Sequence, residues 1–543
     1  MLSRLLCASI GLFLLPFSNL GADEPYTYIH HAVSTNRPAA QEAFDRGLTL
    51  VYAYQGTEAE QSFRQAAKLD PELAMAWWGI ALSLGPNINN SPDLAKTHQA
   101  AEALRRAAVL ARKRATTEEL AYISALATRY TSEEKADFDR LAVNYREAMR
   151  VIVRAHPKDA DAATLYAEAI MDLRPWQLWS ADGSPEPDTE ELLRTIEEHL
   201  ASAPNHIGLL HLYIHAIEAS PYPERALAAA HRLALQPMEP AAAHLVHMPA
   251  HIYLRVGDWT SAIASNQHAT RHALDFQQSL TPAAEHACGH CLDFLHYAYS
   301  MVGNLAAARA AAEEFQQLTK DPTDTLHVLV RFAQWDDVLI FPEPQSDAKS
   351  KLDSPQFVRG FWHYARGLAL VATARPQRAQ IELAALRAEA KRLPTTSVAA
   401  AGALDVEHTI DRLFARSNID GLAMAELILS ARLAQSTKHL PEAIAQLRQA
   451  VDRQDHTVYT EPPVWYYPIR ESLGAALLQS GERTQAEAVF REDLRRNPNN
   501  PRSLFGLAAA YRLEGKAMRA TQAEAQFRAN WQPADHKLIL ADL

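Results

Sequence analysis

Small residues recur at a fixed spacing near the C-terminal end of the chain, and this spacing constrains the fold more than any other feature. One set of three is followed 34 residues later by a second set: Gly474, Gly481 and Ala486, then Ala508, Gly515 and Ala520. Small side chains at such positions let two helices approach closely, and glycine favours the turn that joins them. A period of this length predicts helical hairpins stacked side by side. Such an array grows by adding hairpins, so a chain of 543 residues need not divide into several globular domains.

These positions resemble those of the tetratricopeptide repeat (TPR), a helix-turn-helix unit of 34 residues. Near the N-terminal end, five residues match consensus positions 8, 20, 24, 27 and 32: Gly47, Ala59, Phe63, Ala66 and Pro71. Phe490 and Pro498 complete the same pattern near the C-terminal end, and Gly257 and Gly303 take the turn position in the central repeats. The resemblance implies an all-α fold, a TPR helix-turn-helix solenoid wound as a right-handed superhelix of roughly nine to eleven hairpins. No segment shows the alternation that predicts a β-sheet.

The first 22 residues have the pattern of a secretory signal peptide. Arg4 precedes an apolar run from Leu5 to Phe17, and the small residues that follow favour cleavage after Ala22. The apolar run is shorter than the roughly 20 residues that span a membrane, so we expect no span in the mature chain. These features predict an exported protein, either periplasmic or secreted.

The rest of the chain is predicted to form two arrays. An N-terminal and central array covers 23–340, with an inserted loop at 174–187 and His-rich repeats at 205–304, and a C-terminal TPR array covers 356–543. The Pro, Gly and Trp content of the insertion is typical of a loop rather than a helix. The formal net charge of -11 argues against nucleic acid as a partner, because phosphate binding requires clustered Lys and Arg.

Histidine is concentrated in the central repeats, where 12 of the 23 histidines lie between His206 and His296. In the TPR register many of them fall at positions 2, 5, 9 and 12 of the first helix, which the resemblance implies line the concave groove. Residues spaced i, i+4 and i+7 share one face of a helix, and neighbouring helices pack ~8–10 Å apart. Side chains from three consecutive repeats are therefore predicted to meet on one transition-metal ion. The predicted ligands are His211, His215, Glu218, His244, His247, His251, His290 and Asp293.

Neutral imidazoles with carboxylates suit Zn, Fe, Cu or Mn, and the residues do not distinguish among these metals. Because ligation requires a neutral ring, an unperturbed imidazole pKa near ~6.5 predicts that binding weakens below pH ~6. Three functions fit the pattern. The groove binds a transition metal; or the centre belongs to a metal-dependent enzyme, an oxidase or hydrolase; or the array is a metal-free scaffold for a peptide, a protein or a small-molecule ligand.

Four further residues are candidates for groove or ligand contacts: Glu168, Arg174, Trp176 and Tyr297. Glu168 aligns with His215 and extends the polar stripe by one repeat. Trp176 fits two roles equally, covering the groove or packing the inserted loop. Tyr297 takes a groove position next to Asp293, where it would be available to chemistry at the centre.

Cys288 and Cys291 enclose a Cys-Gly-His-Cys sequence that thiol oxidoreductases also use. That chemistry requires a strand before the motif, and none is predicted here. In an exported protein a local disulfide between the two is the expectation. Ligation of a soft metal beside His290 and redox catalysis are the alternatives.

The stretch 165–304 also resembles a group of bacterial exported TPR proteins with His-rich central repeats. The matching segments are Arg174-Pro-Trp176, Tyr213-Ile-His215-Ala-Ile-Glu218 and His244-Leu-Val-His247-Met-Pro-Ala-His251-Ile-Tyr253. Where the group has His-Asn-x-His before Phe-Leu, this chain has His290-Cys-Leu-Asp293. A carboxylate in place of that imidazole would give the metal a harder, oxygen ligand at one position. The resemblance implies no particular activity.

Overall fold

The structure of the chain is a computed structural model that describes residues 26–276, 282–345, 354–394 and 404–543. Side chains within 274–288 are also outside the description. The predicted signal peptide therefore lies outside the described residues, and export stays a prediction.

Helices carry nearly all regular structure in the part of the chain that is described. The N-terminal and central helices are α1 Pro38–Tyr52, α2 Gly56–Leu69, α3 Ala74–Ser83, α4 Leu94–Arg114, α5 Thr117–Ala127, α6 Phe138–Ala155, α7 Ala160–Met171, α8 Thr189–Ser202, α9 Ile207–Glu218, α10 Leu227–Ala234, α11 Ala243–His247, α12 Pro249–Arg255, α13 Trp259–Phe276, α14 Pro282–Val302, α15 Leu305–Thr319, α16 Thr323–Arg331 and α17 Trp335–Ile340. The C-terminal helices are α18 Pro355–Ala372, α19 Pro376–Ala390, α20 Thr409–Ser436, α21 Leu440–Asp455, α22 Arg470–Gln479, α23 Arg483–Arg496, α24 Pro501–Leu513 and α25 Ala517–Asn530. Among the described residues β pairing is limited to two isolated bridges, Asn87–Asn90 and Trp179–Pro185, so the all-α prediction is confirmed.

Consecutive helices pack as antiparallel hairpins, and the predicted small residues make that packing possible. Phe490 on α23 lies between Gly474 on α22 and Gly506 on α24, since an added Cβ would lie 2.4 Å from its ring at the first glycine and 2.3 Å at the second. Phe63 takes the same place between the glycines of α1 and α3. The aromatic side chain of each second helix thus fills the gap to the next hairpin, which is the TPR-type arrangement that the sequence predicts.

The C-terminal repeats also pack back against the central ones, far from their neighbours in sequence. A Cβ at Gly257, whose φ is +73°, would lie 1.9 Å from the carbonyl oxygen of Pro498. Arg331 and Glu471 form a buried bidentate ion pair, with Nη2 2.9 Å from Oε1. These contacts place the segment between α21 and α22 over the His-rich repeats, and that segment brings in a functional residue described below.

None of the described helices combines the length and the apolar content that crossing a membrane requires.

Candidate metal centre

Three short helices, α9, α11 and α12, bring six of the predicted ligands together. His211, His215 and Glu218 lie on one face of α9, and all three are buried. His244 and His247 lie on α11 and His251 on α12, which continues the same direction after Met248. A proline at the first position of α12 removes one backbone donor, so α11 and α12 are two short segments rather than one helix.

His290 on α14 is the seventh predicted ligand that joins the set. Its ring centroid lies 4.7 Å from that of His247 and 5.9 Å from that of His251. Three overlapping groups result, and in each of them one ligand atom from every residue lies within 4.8 Å of the others. The groups are His211/His215/His244, His247/His251/His290 and His215/Glu218/His251.

Oxygen atoms of the protein hold Nδ1 of the buried rings. Nδ1 of His211 lies 2.7 Å from the carbonyl oxygen of Tyr52, which can only accept a hydrogen bond. Nδ1 of His247 lies 2.6 Å from Oδ1 of Asn266, and the amide of Asn266 donates to the carbonyl of Ala262, which fixes its orientation. Both rings therefore carry their proton on Nδ1 when neutral, and Nε2 of each is left as an acceptor.

Glu218 connects the two histidine triads. Its Oε1 lies 2.8 Å from Nδ1 of His215, and its Oε2 lies 2.5 Å from Nδ1 of His251. A carboxylate on Nδ1 orients the ring and makes Nε2 a stronger base, as it does for the histidine ligands of metal sites. One side chain thus directs a ring in each triad.

The Nε2 atoms face one another. Those of His211 and His244 lie 3.0 Å apart and those of His247 and His251 lie 2.7 Å apart, while Nε2 of His215 has no hydrogen-bond partner among the described residues. Two bare lone pairs at such distances repel unless a proton or a cation lies between them. Two nitrogen ligands that are each ~2.0–2.1 Å from one ion lie ~3.0–3.4 Å apart, close to the spacing found here.

Burial keeps these rings neutral. It lowers the pKa of His215 to about 3 and that of His247 to about 4, although the hydrogen bond to Asn266 opposes the second shift. Burial and then the neighbouring imidazoles lower the pKa of His211, His244 and His251 well below the usual value. A neutral ring is the form that ligates a metal, so the folded chain presents five imidazoles in that form.

Glu461 completes the centre from the C-terminal half of the chain. Its buried carboxylate contacts Nδ1 of His251 and lies close enough to Glu218 for the two charges to interact. Burial and then the negative charge of Glu218 raise the pKa of Glu461 well above its usual value, and burial raises the pKa of Glu218 to about 8. Two carboxyl groups this close require a proton or a cation between them.

Tyr54 lies against the first triad, at the turn between α1 and α2. Its ring centroid is 4.6 Å from that of His211 and 5.5 Å from that of His244. Its buried hydroxyl has no hydrogen-bond partner within the described ranges. Sequence reasoning missed both Tyr54 and Glu461, because each comes from a turn or loop distant in sequence from the His-rich repeats.

Asp293 does not join these three groups but belongs to a separate one with His296 and Asp324, whose ligand atoms also lie within 4.8 Å of one another. Its Oδ1 lies 2.9 Å from Nε2 of His296, and that nitrogen lies 3.4 Å from Asp324 on α16. Burial raises the pKa of Asp293 to about 6, whereas the two carboxylates raise that of His296 to about 10 against the effect of burial. Asp293 therefore belongs to a separate ion-paired cluster between α14 and α16.

The four groove candidates lie in different surroundings. Glu168 is buried beside Asp172 and Arg129 rather than among the imidazoles, and burial raises its pKa to about 8. The ring of Trp176 stands edge-on to His215 at 5.6 Å, and Arg174 lines a small cavity with His215, Glu218 and Tyr459. Tyr297 is buried on α14 and lines a larger cavity.

That larger cavity adjoins the centre. Its volume is about 750 Å³, within the usual range for small-molecule sites. Glu461, Phe294 and Arg255 form part of the wall nearest the imidazoles, and aromatic side chains form much of the remainder. The centre thus lies beside a space large enough for an organic ligand.

The predicted disulfide cannot be placed in the same way. Cys291 is buried in α14, but the side chain of Cys288 lies outside the described residues. Pairing of the two cysteines stays a prediction.

Comparisons with known proteins assign no family to the chain. No protein-family model matches the chain, and no curated protein matches it. Among solved structures it is similar to the human IFIT1 dimer with m7Gppp-AAAA, at 13% identity over 92% of each chain and a TM-score of 0.33. It is also similar to the human IFIT1 dimer with PPP-AAAA, at 13% identity over 92% of this chain and 95% of that one, with a TM-score of 0.32. At these TM-scores the ligands of IFIT1 carry no argument about this chain.

Proposed function

We propose that the chain binds transition-metal ions in the two histidine triads that Glu218 connects. The observation that carries this proposal is the arrangement of the rings. Oxygen acceptors hold Nδ1 of His211, His215, His247 and His251, and Nε2 atoms converge in the interior without enough donors to satisfy them. A cation relieves that repulsion and also compensates the paired carboxylates.

Two adjacent ions fit the arrangement better than one. The triads share no histidine, and Glu218 lies between them with one oxygen directed to each. Imidazole and carboxylate ligands suit Zn, Fe, Cu or Mn. The ring of Tyr54 packs against the first triad, and its buried hydroxyl, which has no hydrogen-bond partner among the described residues, is a candidate further ligand.

The test is the metal content of purified protein and of single variants. His215→Ala, His247→Ala and His251→Ala are each expected to lower bound metal by at least one ion per chain. His439→Ala is the matched control, because that ring is exposed on another repeat and its removal should leave the metal content unchanged. If the three variants keep the wild-type metal content while folded, the ligands lie elsewhere and the proposal fails.

A second candidate, a metal-dependent enzyme, is favoured by the cavity beside the centre. Glu461 lies on both the cavity wall and the centre, so its carboxyl group can hold or release a proton next to a bound substrate. The bound ions would supply Lewis-acid or redox chemistry. Turnover of ester, phosphoester or oxidisable phenol probes that stops after chelation would support this candidate. If the metal-loaded protein turns over none of these probes, metal binding is the only role that remains.

In this proposal the centre takes up metal outside the cytoplasm, because residues 1–22 have the pattern of a secretory signal peptide. Mass measurement of the mature chain tests it, with a new N-terminus after Ala22 as the expected result. A metal-free scaffold for a peptide or protein is what remains if the native protein neither carries nor takes up metal.

A further inference from the structure

The 750 Å³ cavity beside the centre has aromatic walls and an incompletely paired cation. The aromatic side chains come from the inserted loop, from α13 and from the segment after α21: Trp176, Trp179, Trp259, Tyr459, Trp465 and Tyr467. Flat apolar rings on several sides suit a ligand with a planar body, because such rings stack or meet edge-to-face at little entropic cost.

Arg255 provides the cation, at the end of α12. Its Nε donates to the carbonyl of Glu218 at 2.8 Å and its Nη2 donates to the carbonyl of Ser220 at 3.2 Å. Its guanidinium lies 5.7 Å from the ring centroid of Tyr459. No carboxylate among the described residues lies within ion-pair distance of it, and its Nη1 makes no hydrogen bond to any of them.

That arrangement is unusual for a partly buried arginine. The other arginines along the cavity are paired: Arg470 is bidentate to Asp455 at 2.7 and 2.6 Å, and Arg496 reaches the same carboxylate at 3.2 Å. A guanidinium held by two backbone carbonyls is oriented but not neutralised, and leaving such a charge without a counter-ion in a low-dielectric pocket is costly. An anion that binds there recovers that cost.

The acidic groups around the cavity do not neutralise Arg255. Asp182 and Glu186 lie on the inserted loop, where each is bonded to a neighbouring serine. Glu461 faces His251 and Glu218 instead. Burial lowers the pKa of Arg255 and the negative charge of Glu218 opposes that shift, so the guanidinium has a charged neighbour in Glu218 but no ion-pair partner on the cavity side among the described residues.

We propose that this cavity binds a small aromatic carboxylic acid, with the carboxylate on Arg255 and the ring among the aromatic side chains. This inference rests on the proposed function, because a ligand seated there lies beside Glu461 and the metal centre. Arg255 acts by binding and orienting the acid. A carboxylate suits the fork of donors that the guanidinium offers.

The experiment is calorimetric titration of full-length mature protein with 2-naphthoate, and with neutral 2-naphthamide of nearly the same shape, while metal content is measured on the same samples. The acid is expected to bind at least about tenfold more tightly than the amide, because a charge-assisted hydrogen bond is lost with the amide. Arg255→Gln is expected to remove that preference at unchanged metal content. Arg232→Gln, an exposed arginine on α10, is the matched control.

The outcomes separate the two proposals. Equal affinity for acid and amide in the metal-loaded wild type overturns the carboxylate site and leaves the metal centre standing. If the protein binds no metal but still prefers the acid, the metal centre is overturned and the carboxylate site stands. If Arg255→Gln does not fold, Arg255→Lys decides the role of the residue, because it retains charge but loses the fork and should reduce the preference. If Arg255→Lys, and Arg255→Gln where it folds, both keep the full preference for 2-naphthoate over 2-naphthamide, the carboxylate binds a cation other than Arg255.

Discussion

Nε2 of His247 and Nε2 of His251 lie 2.7 Å apart although Nδ1 of each ring is already held by an oxygen of the protein. Both nitrogens are acceptors when each neutral ring keeps its proton on Nδ1, and the pair then repels unless a proton or a cation lies between them. A proton can serve in the metal-free chain, and a bound metal ion serves in the loaded centre. This pair therefore predicts how the centre responds to pH and to mutation.

Metal affinity should increase as pH rises to about 8 and then level off. Binding displaces a proton from the adjacent carboxyl groups of Glu218 and Glu461, because burial raises the pKa of Glu218 to about 8. The rings of His215 and His247 stay neutral, because their pKa values are lowered to about 3 and about 4. Each proton released changes the affinity ~10-fold per pH unit. Competition with a chelator from pH 5 to 9 measures this, and a single step near pH 6.5 would contradict it.

The metal-free protein should lose stability between pH 6.5 and 8. The folded pKa of Glu218 is above its unfolded value of 4.5, so its contribution is fully present below pH 4.5 and is lost as pH rises through about 8. The histidines have folded pKa values below their unfolded value of 6.5, so their contribution is complete above pH 6.5 and changes no further. Melting in the presence of a chelator measures the fall. Glu218→Gln, which cannot ionise, should reduce it, and bound metal should abolish it.

Glu461→Gln should weaken metal binding ~10–100-fold while the chain stays folded. The carboxylate contacts His251 and Glu218 from the far half of the chain, and removal of such a partner typically costs that much affinity. Glu442→Gln, on the exposed face of α21, is the control and should bind as wild type. Wild-type affinity in Glu461→Gln would mean that the C-terminal repeats cover the centre without taking part in it.

Gly506→Ala should destabilise the C-terminal repeats by ~1–2 kcal/mol. Alanine ordinarily stabilises a helix by ~0.5–1 kcal/mol relative to glycine, but its Cβ would lie 2.3 Å from the ring of Phe490. Chemical unfolding measures the difference. In a Phe490→Leu background the same substitution should cost less, and an equal cost in both backgrounds would assign the effect to something other than this contact.

Local spacing explains what the sequence could predict. The hairpins follow from small residues at fixed offsets. Gly474 and Phe490, for example, meet within one pair of helices, whatever the arrangement of the other repeats. His211, His215 and Glu218 share a face of α9 for the same reason, because spacings of four and seven residues set direction on any helix. Neither inference needs the position of a distant segment.

Long-range packing decides the rest. Glu461 reaches His251 only because the C-terminal repeats fold back onto the central ones, and no repeat period encodes that contact. Asp293 lies apart from the other predicted ligands because its carboxylate meets His296, three residues on, and His296 in turn contacts Asp324 on α16. The predicted loss of metal below pH ~6 assumed an exposed ring, and burial shifts the titration of His215 to about 3.

Anomalous X-ray scattering from crystals of the mature protein, purified from its native compartment without chelator, is the most direct test of the metal centre. Peaks at the absorption edge of one transition metal are expected within ~2.0–2.3 Å of Nε2 atoms in the two triads, His211/His215/His244 and His247/His251/His290. Soaking with zinc should restore the peaks after chelation. Crystals that show no anomalous density at either triad, before or after soaking, would contradict the metal centre.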